Sequence, residues 1–586
     1  MMTMNRKTND KVFLAIVTIA LSALAFVLTT LCLPAPFYTN DEVLMRSIAN
    51  GSYTGTNDGH LIYIMYCLGI IFAGLYKLIP AVNWYDLFML SLHYLCWAMI
   101  VGKVGSFIKS RTGKVAMMFL AMCIVVTVDC KFVFFHQYTI LAGVAFATGL
   151  LSLWGYFRNS QNSDAVVAVV FFTFSLWIRK QVFLMGLPFV LLILFIRFID
   201  MIRAGEKGKM KGALKVIVAL VAVSALSFAV EKVAYSSVEW KDFLQYNSAR
   251  TDLVDFYEIP SYEEASDILE NYGITKEEYE PLHSVNFSFS EKYTTELLKE
   301  LAKRASDNSA VKGNREFIKS VLVQMVIEWK LAVKQSIGLF ILLFAVVNVV
   351  LGIKLKKYLF SLASVGAIAY QCAFAAYFVY RMRFPERISY TFYFMHLLFQ
   401  AGMLLYLAAD VSIEKILLKR AAFFKRCFIV FAVVFGCAVF LIFGRKTISV
   451  AKEENAEWEP YRNEVNVLCD FFETHSDQRF IVSVPVACFL CDEMGITSKP
   501  YPANALSLCY WTCGSPLYAK NSAKLSLTEP DKAFAENRVY FVYREGYDTK
   551  PLTDYYSSMG LNVQLDTAET VSAETGLLYI SYLSEK

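Results

Sequence analysis

Long apolar runs, separated by shorter polar stretches, recur along most of the chain. Twelve of them reach or approach the ~17–25 residues that a helix needs to cross a bilayer. They lie near residues 12–33, 61–79, 85–103, 114–130, 138–157, 164–179, 181–200, 215–235, 331–353, 358–379, 390–410 and 427–444. The nearly continuous run 164–200 is divided at Arg179-Lys180-Gln181, because two adjacent cations are costly at the bilayer centre. The pattern predicts an all-α polytopic membrane bundle.

Clusters of basic residues between the runs orient the predicted spans. They are Lys103, Lys109, Arg111 and Lys114; Arg203, Lys207, Lys209, Lys211 and Lys215; Lys354, Lys356 and Lys357; and Lys415, Lys419, Arg420, Lys425 and Arg426. The positive-inside rule places these clusters and the N-terminus in the cytoplasm. The three candidate spans between residues 12 and 103 then give one crossing too many. We expect about 11 crossings, with run 61–79 re-entrant or interfacial; the alternative is one basic loop outside.

Two long polar regions fall on the outer side in this topology. Residues 236–330 carry 18 acidic and 11 basic side chains, and their pattern predicts helices near 240–249, 261–271, 276–280 and 290–307. Residues 445–586 predict a helix over 455–474 and strands Phe480–Ala487, Val539–Tyr543, Asn562–Leu565 and Leu577–Tyr582. The expected domains are therefore a transmembrane module (1–235), a helical insertion (236–330), further transmembrane helices (331–444) and a small α/β domain (445–586).

Composition agrees with a membrane protein and narrows the partners. The 586 residues are 56% hydrophobic and 18% charged, which is typical of polytopic membrane proteins, and the net charge of +5 is modest. No nucleic-acid motif is visible, so the expected environment is a lipid bilayer. Of 13 cysteines, five fall in the C-terminal region: Cys469, Cys488, Cys491, Cys509 and Cys513. An exterior location favours disulfides there, and a four-thiolate zinc site or simple packing remain alternatives.

An acidic pair follows the first apolar run, in the stretch Tyr38-Thr39-Asn40-Asp41-Glu42. The pattern after it predicts a short surface helix that begins at the two carboxylates and stops at Asn50-Gly51. Such a helix would lie flat at the interface and hold both carboxylates at one depth. The alternative is an ordinary helix N-terminus in a connecting loop.

Four polar clusters are expected at the outer ends of the spans. They are Asp41-Glu42 with Asp58 and His60; Asp129, Lys131, His136 and Gln137; Arg179-Lys180; and Arg381, Arg383, Glu386 and Arg387. The two basic sets break the positive-inside rule, so an outer anion should compensate them. A lipid phosphate or diphosphate would do so through bidentate guanidinium contacts. Salt bridges to the acidic loops are the alternative, and the three arginines of the last set favour the phosphate.

A carboxylate beside cations at a membrane surface is typical of one reaction class. The carboxylate acts as general base on an acceptor hydroxyl, and the cations stabilise the phosphate leaving group of a lipid-linked sugar. Asp41 is the candidate base, with Glu42 orienting or joining it. The sequence leaves the need for a divalent metal open, so the cofactor is unknown.

The order of elements resembles the GT-C superfamily of membrane glycosyltransferases, in its aminoarabinose transferase and protein O-mannosyltransferase branch. The resemblance covers residues 10–200 and rests on Asp41-Glu42, the following helix and Asn50-Gly51-Ser52-Tyr53. His60-Leu61-Ile62-Tyr63 stands where the branch has a His-Pro signature, but without the prolines. The stretch from Lys180 to Pro188 loosely resembles the Lys-Gly-Pro motif of the branch.

One departure concerns the second outer loop. The branch carries an acidic residue there in an Arg-Leu-Asp setting, whereas this chain reads Phe135-His136-Gln137-Tyr138. Asp129 stands nearby at a different offset. This departure puts a second acidic contact, and any metal site, in doubt.

The resemblance implies a transferase that moves a sugar from a polyprenyl-phosphate carrier to an acceptor outside the cytoplasm, in the plasma membrane. The candidate substrate-binding residues are His60, Asp58, Asp129, His136, Arg179, Lys180, Arg381, Arg383 and Arg387. The alternative function is a transporter or flippase of envelope precursors, which would use the same cations as a path. Transporters often show inverted repeats and broken helices near the midplane, and no such symmetry is visible here.

Overall fold

The structure is a computed structural model, and it describes residues 2–586 apart from 31–35, 38–40, 286, 288, 309–314, 382, 410–420, 484–485, 487–491, 498–499, 509–510 and 528–538. Helices in the first part are α1 (Met2–Thr30), α2 (Asp41–Ala49), α3 (Tyr66–Leu78), α4 (Trp84–Ser106), α5 (Arg111–Phe134), α6 (Tyr138–Asn159), α7 (Asn162–Ile178), α8 (Lys180–Arg203) and α9 (Lys207–Ala234). Those of the following polar region are α10 (Val238–Phe256), α11 (Tyr262–Asn271), α12 (Lys276–His283), α13 (Thr295–Asn308) and α14 (Arg315–Lys334).

The second half returns to long apolar helices and ends in a sheet. The helices are α15 (Ile337–Lys354), α16 (Tyr358–Tyr380), α17 (Glu386–Ala408), α18 (Ala421–Val439), a π-helical turn (Phe440–Gly444), α19 (Arg445–Thr474), α20 (Pro516–Lys524) and α21 (Lys550–Ser558). The strands are β1 (Arg479–Val482), β2 (Ala505–Ser507), β3 (Val539–Arg544), β4 (Val563–Ala573) and β5 (Gly576–Glu585).

Ten helices of the described chain are long and apolar enough to cross a membrane. They are α1, α4, α5, α6, α8, α9, α15, α16, α17 and the continuous helix of α18, the π-helical turn and α19. α3 and α7 are apolar but shorter. The expectation of a multi-pass helical membrane protein is therefore confirmed.

Contacts at both ends of α3 favour the interfacial alternative for run 61–79. Before α3, the Met65 amide donates to the Trp177 carbonyl at the end of α7. After α3, the Asn83 amide donates to the Ile496 carbonyl in the C-terminal region. The residues on both sides of α3 thus lie at the same end of the bundle, the end that faces the C-terminal region, and we call it the polar end. A 13-residue helix spans about 20 Å, short of the ~30 Å of bilayer hydrocarbon.

The predicted span 331–353 begins later than expected, and a separate helix precedes it. α14 ends at Lys334, and Ser336 takes a left-handed backbone conformation (φ +68°) before α15 starts at Ile337. α14 was not predicted as an element of its own. Its first turn contacts α16 through the Phe317 and Tyr380 rings, and Gln335 just beyond it bonds Glu386 at the start of α17. α14 therefore lies across the polar end of the bundle.

The C-terminal sheet has five strands in the order β2-β1-β3-β5-β4. β1 pairs in parallel with β2 and β3, and β5 pairs antiparallel with β3 and β4. The four predicted strands are present with shifted bounds, and the three-residue β2 was not predicted. The α/β character expected for this region is confirmed.

The sheet joins the bundle to the helical insertion through its two faces. Phe480, Val482 and Val542 belong to the apolar core of the bundle, whereas Ile481 and Phe541 pack with the insertion helices α10–α13. This alternation follows from the two-residue period of a strand. The insertion and the sheet thus share one core, and together we call them the polar domain.

The short helix α2 forms at the predicted bounds but does not lie on the surface. Its residues from Glu42 to Ala49 are all buried. Arg46 explains the difference, because its guanidinium donates to Asp86 of α4 (3.0 Å) and to Asp492 of the C-terminal region. The expectation of a surface helix is therefore wrong: the bundle and the polar domain enclose α2 from both sides.

Candidate functional site

The candidate site centres on Asp41, the first residue of α2. The charged side chains that act on it are, in decreasing order of effect, Arg387, Arg179, Asp255 and Arg250. Arg179 joins α7 to α8, Arg387 lies in the first turn of α17, and Arg250 and Asp255 lie on α10 of the insertion. Segments far apart in the sequence therefore bring their charges to one carboxylate.

The arginines around Asp41 are not neutralised by ion pairs. Within the described residues, Arg179, Arg250 and Arg387 make no ion pair, and Asp41 makes neither a hydrogen bond nor an ion pair. Arg250 is only 8% exposed, and its guanidinium donates to Asn247 and Thr251. The Nη1 atom of Arg179 is buried and has no hydrogen-bond partner within the described chain. A buried cation such as Arg250 is costly unless an anion binds it.

Aromatic side chains form one wall of the site. The Arg179 guanidinium lies 5.0 Å from the Tyr63 ring centre and 5.3 Å from that of Tyr138. The Trp511 ring lies 4.9 Å from the Tyr63 ring and belongs to the polar domain. Trp511 is 5% exposed, and its indole Nε1 has no hydrogen-bond partner in the part of the chain that the structure describes. The wall therefore holds Arg179 by cation–π contacts and offers an unused donor.

The surroundings of Asp41 affect its ionisation in two opposite ways. Burial raises the pKa of Asp41 above its usual value, and Arg387, Arg179 and Arg250 partly oppose this effect. Burial likewise raises the pKa of the Tyr63 phenol, and the negative charge of Asp41 adds to it. A carboxylate with a raised pKa beside unpaired cations matches the requirements of a general base.

Glu42 has a different place from its neighbour. It is fully buried, and its Oε1 accepts a hydrogen bond from the Tyr138 amide at 2.7 Å. This carboxylate therefore accepts from an otherwise free N–H at the N-terminus of α6. Its negative charge also interacts favourably with the positive end of the α6 dipole. In this position Glu42 ties α2 to α6.

Arg381 and Arg383 bind the insertion. Arg383 pairs with Asp255 at 2.9 Å, and Arg381 lies 3.9 Å from Asp252. Both guanidinium groups also contact the Phe256 ring. These contacts are the salt bridges to acidic residues that were expected from the sequence as the alternative to a phosphate. Of the three arginines Arg381, Arg383 and Arg387, only Arg387 has no ion pair among the described residues.

His60 and Asp58 form a second cluster, separate from the contacts of Asp41. His60 Nδ1 bonds Asp58 at 2.6 Å, His60 Nε2 bonds the Ala234 carbonyl at 3.1 Å, and the ring stacks on Trp240. Asp58 also accepts from Lys520. Burial raises the pKa of Asp58, but the bonds from His60 and Lys520 outweigh this and lower it to about 2. Both ring nitrogens of His60 are thus used within the chain.

Asp129 and His136 lie inside the bundle. Asp129 accepts from His93, Trp97 and Tyr390 and is completely buried. His136 is also fully buried, and neither ring nitrogen bonds any of the described residues. Burial, with the nearby His93, lowers the pKa of His136 well below its usual range. No contact joins either residue to the arginines around Asp41 in the described chain.

Lys180 is the first residue of α8, directly after Arg179. Its charge acts on Glu231 of α9 and not on Asp41. Among the described residues, no group of three or more His, Cys, Asp or Glu side chains could hold a metal ion. The predicted cysteine site cannot be judged in the same way, because Cys488, Cys491 and Cys509 lie outside the described residues.

Arg250, Asp255, Tyr138 and Trp511 belong to the site but were not among the predicted site residues. Arg250 is the single arginine of α10, within an insertion that is acidic overall, and this was the only signal that could have drawn attention to it. Tyr138 is one of 34 tyrosines, and no local pattern marks Trp511, which is one of eight tryptophans. Trp511 reaches the site from the C-terminal region, whereas Tyr138 meets Arg179 within the bundle.

Comparison of the chain with family models, with curated proteins and with solved structures gave no match in any of the three.

Proposed function

We propose that the protein is an integral membrane glycosyltransferase that moves a sugar from a polyprenyl-phosphate donor to an acceptor outside the cytoplasm. The observation that carries this proposal is the set of arginines around Asp41 that make no ion pair within the described residues. With Arg383, which pairs with Asp255, four guanidinium groups face two carboxylates, so the site has an excess of two positive charges. A phosphate monoester or diester anion fits that excess.

The reaction uses the carboxylate and the arginines in separate roles. Asp41 accepts the proton of the acceptor hydroxyl while that oxygen bonds the anomeric carbon of the sugar. The bond between the anomeric carbon and the phosphate oxygen breaks, and the polyprenyl phosphate leaves. Arg179, Arg250 and Arg387 stabilise the charge that develops on the leaving phosphate.

The aromatic wall supports a sugar as the transferred group. Tyr63, Tyr138 and Trp511 lie beside Arg179, and Trp511 has a free indole N–H. Aromatic faces pack against the C–H surfaces of a sugar ring, and the N–H can donate to a sugar hydroxyl. In this proposal the sugar lies between the aromatic wall and Asp41, with its phosphate toward the arginines.

The proposed orientation follows the positive-inside rule. The N-terminus and the basic loops lie in the cytoplasm, and the polar domain lies on the outer face of the plasma membrane. The site at the polar end then meets the outer leaflet, where a carrier lipid presents its phosphate.

The test is turnover of a polyprenyl-phosphate sugar by the purified protein. Asp41→Asn should lower the rate by ~10²–10⁴ because it removes the general base but keeps the shape of the side chain. Asp252→Asn is the matched control, since it makes the same change at an aspartate that lies 3.9 Å from Arg381 and outside the Asp41 cluster. Equal rates for the two variants, or no turnover by the unmodified protein with any metal ion added, would contradict the proposal.

A further inference from the structure

A separate cleft lies on the other side of the first turn of α17. Here a cleft of about 210 Å³ is enclosed by the last turn of α5, the turn between α14 and α15, the start of α17 and the first turns of α19. We call it the lysine cleft, after Lys131, Lys334 and Lys446, which line it. Arg387 acts on Asp41, whereas the adjacent Glu386 lines this cleft, so the two regions are distinct neighbours.

The polar groups of the lysine cleft leave positive charge unused. Lys131 pairs with Glu386 and Glu454 at 2.9 Å, and Gln335 also donates to Glu386. Lys334 and Lys446 make no ion pair within the described residues. The cleft therefore holds two ammonium groups beyond those that the protein's own carboxylates engage.

Ser336 provides an independent sign of a ligand. Its side chain is 1% exposed and lines the cleft, yet its Oγ has no hydrogen-bond partner among the described residues. It is the N-cap residue of α15, but its side chain does not cap that helix. An 18-residue helix directs free N–H groups and the positive end of its dipole toward this position. A buried hydroxyl left without a bond there is available to an anion.

The remaining walls of the cleft are apolar, and they continue toward lipid. Val128, Phe132, Phe443 and Val450 line the cleft, and all four belong to helices that form the membrane bundle. Leu331 of α14 lines it too and is 43% exposed. More of α14 is exposed and apolar, including Ile318, Leu322, Val323, Val326 and Ile327. A helix of this kind at the end of a membrane bundle lies at the level of lipid headgroups.

We propose that the lysine cleft binds the phosphate of an anionic membrane phospholipid. The phosphate contacts Lys334, Lys446 and the Ser336 hydroxyl at the N-terminus of α15. The acyl chains follow the apolar wall past Leu331 into the bilayer. The site does not depend on the proposed transferase function, because none of its residues contacts Asp41.

The test measures lipid retention by native mass spectrometry of the full chain, purified and freed of endogenous lipid. Dioleoyl phosphatidylglycerol is the probe, and dioleoylglycerol, which has the same tails without the phosphate, is the comparison. The unmodified protein should retain the phospholipid and not the diacylglycerol. The double variant Lys334→Ala/Lys446→Ala should retain at least about tenfold less phospholipid, since each lysine attracts an anionic headgroup.

Two further variants keep the test decisive. Lys319→Ala/Lys330→Ala removes two exposed lysines of α14 that do not line the cleft and should leave retention unchanged. Lys334→Arg/Lys446→Arg keeps both charges and should retain the lipid even if the alanine pair folds poorly. Equal retention by the alanine pair and its control, or equal binding of diacylglycerol, would overturn the proposal. Equal retention of inorganic phosphate, or preferential retention of a polyprenyl phosphate, would overturn the assignment to a phospholipid.

Discussion

Asp41 and Asp129 are both aspartates within the helical part of the chain, and their surroundings differ in kind. Asp129 accepts hydrogen bonds from His93, Trp97 and Tyr390, so its carboxylate is already used by the bundle. Asp41 makes no such bond within the described residues and faces arginines that have no ion pair there. The difference separates an acid that holds helices together from an acid that is available to a ligand.

The largest expected effect of this contrast is on folding. Asp129→Ala leaves three buried donors without their acceptor and should destabilise the protein by about 2–5 kcal/mol. Asp41→Ala should destabilise the protein less than Asp129→Ala, because it loses no hydrogen bond within the described residues and only the attraction of the surrounding arginines. Thermal unfolding of the two variants in detergent measures the difference. A larger loss for Asp41→Ala would reverse the assignment of the two acids.

The next effect concerns the arginines. Arg179→Ala should weaken binding of a polyprenyl phosphate by about 10–100-fold, because it removes a charge-assisted contact. Arg381→Ala should weaken this binding by less than about threefold. Its guanidinium is partly exposed and already lies 3.9 Å from the Asp252 carboxylate. Titration of each lipid-free variant with the polyprenyl phosphate measures the contrast in binding. Similar losses would show that the two arginines act alike.

Asp58 offers a pH test of a carboxylate in a structural role. Its folded-state pKa is lowered to about 2, so its ionised form should stabilise the fold by about 2 kcal/mol at neutral pH. Since the pKa is depressed, that contribution is present above the unfolded value near 4 and is lost as pH falls toward 2. The melting temperatures of the native protein and Asp58→Asn should therefore converge over that window. A constant difference would contradict this role.

The smallest expected effect is a shift of the pH profile. Burial raises the pKa of Asp41, and Arg387 is the charge that opposes this most. Arg387→Ala should therefore raise that pKa further and move the acid limb of kcat/KM to higher pH. Arg381→Ala should leave the limb in place. A limb that moves to lower pH, or moves equally in both variants, would exclude Asp41 as the titrating base.

The helices were predictable, because long apolar runs leave the chain few other structures in a bilayer. The bounds of α2 also followed from its acidic start and Asn50-Gly51 stop, but its burial did not. That burial depends on Arg46 meeting Asp492, which is 446 residues away in the sequence. In the same way, α14 and α15 are divided by the backbone conformation of Ser336, which no local pattern signals.

The candidate site was predictable only in part. Asp41, Arg179 and Arg387 stood out because charges at the ends of apolar runs need compensation. Arg250 and Trp511 did not, since Arg250 reaches Asp41 from the insertion and Trp511 reaches Tyr63 from the C-terminal region, and both are far from α2 in the sequence. His60 stood out equally, and the structure instead bonds both of its ring nitrogens within the chain.

The most direct test of the account is a structure of the protein with a short-chain polyprenyl phosphate bound. The account predicts phosphate density within hydrogen-bond distance, about 3 Å, of both Arg179 and Arg387, with Asp41 beside it. Phosphate density confined to the lysine cleft, or at any other place away from Arg179 and Arg387, would contradict it.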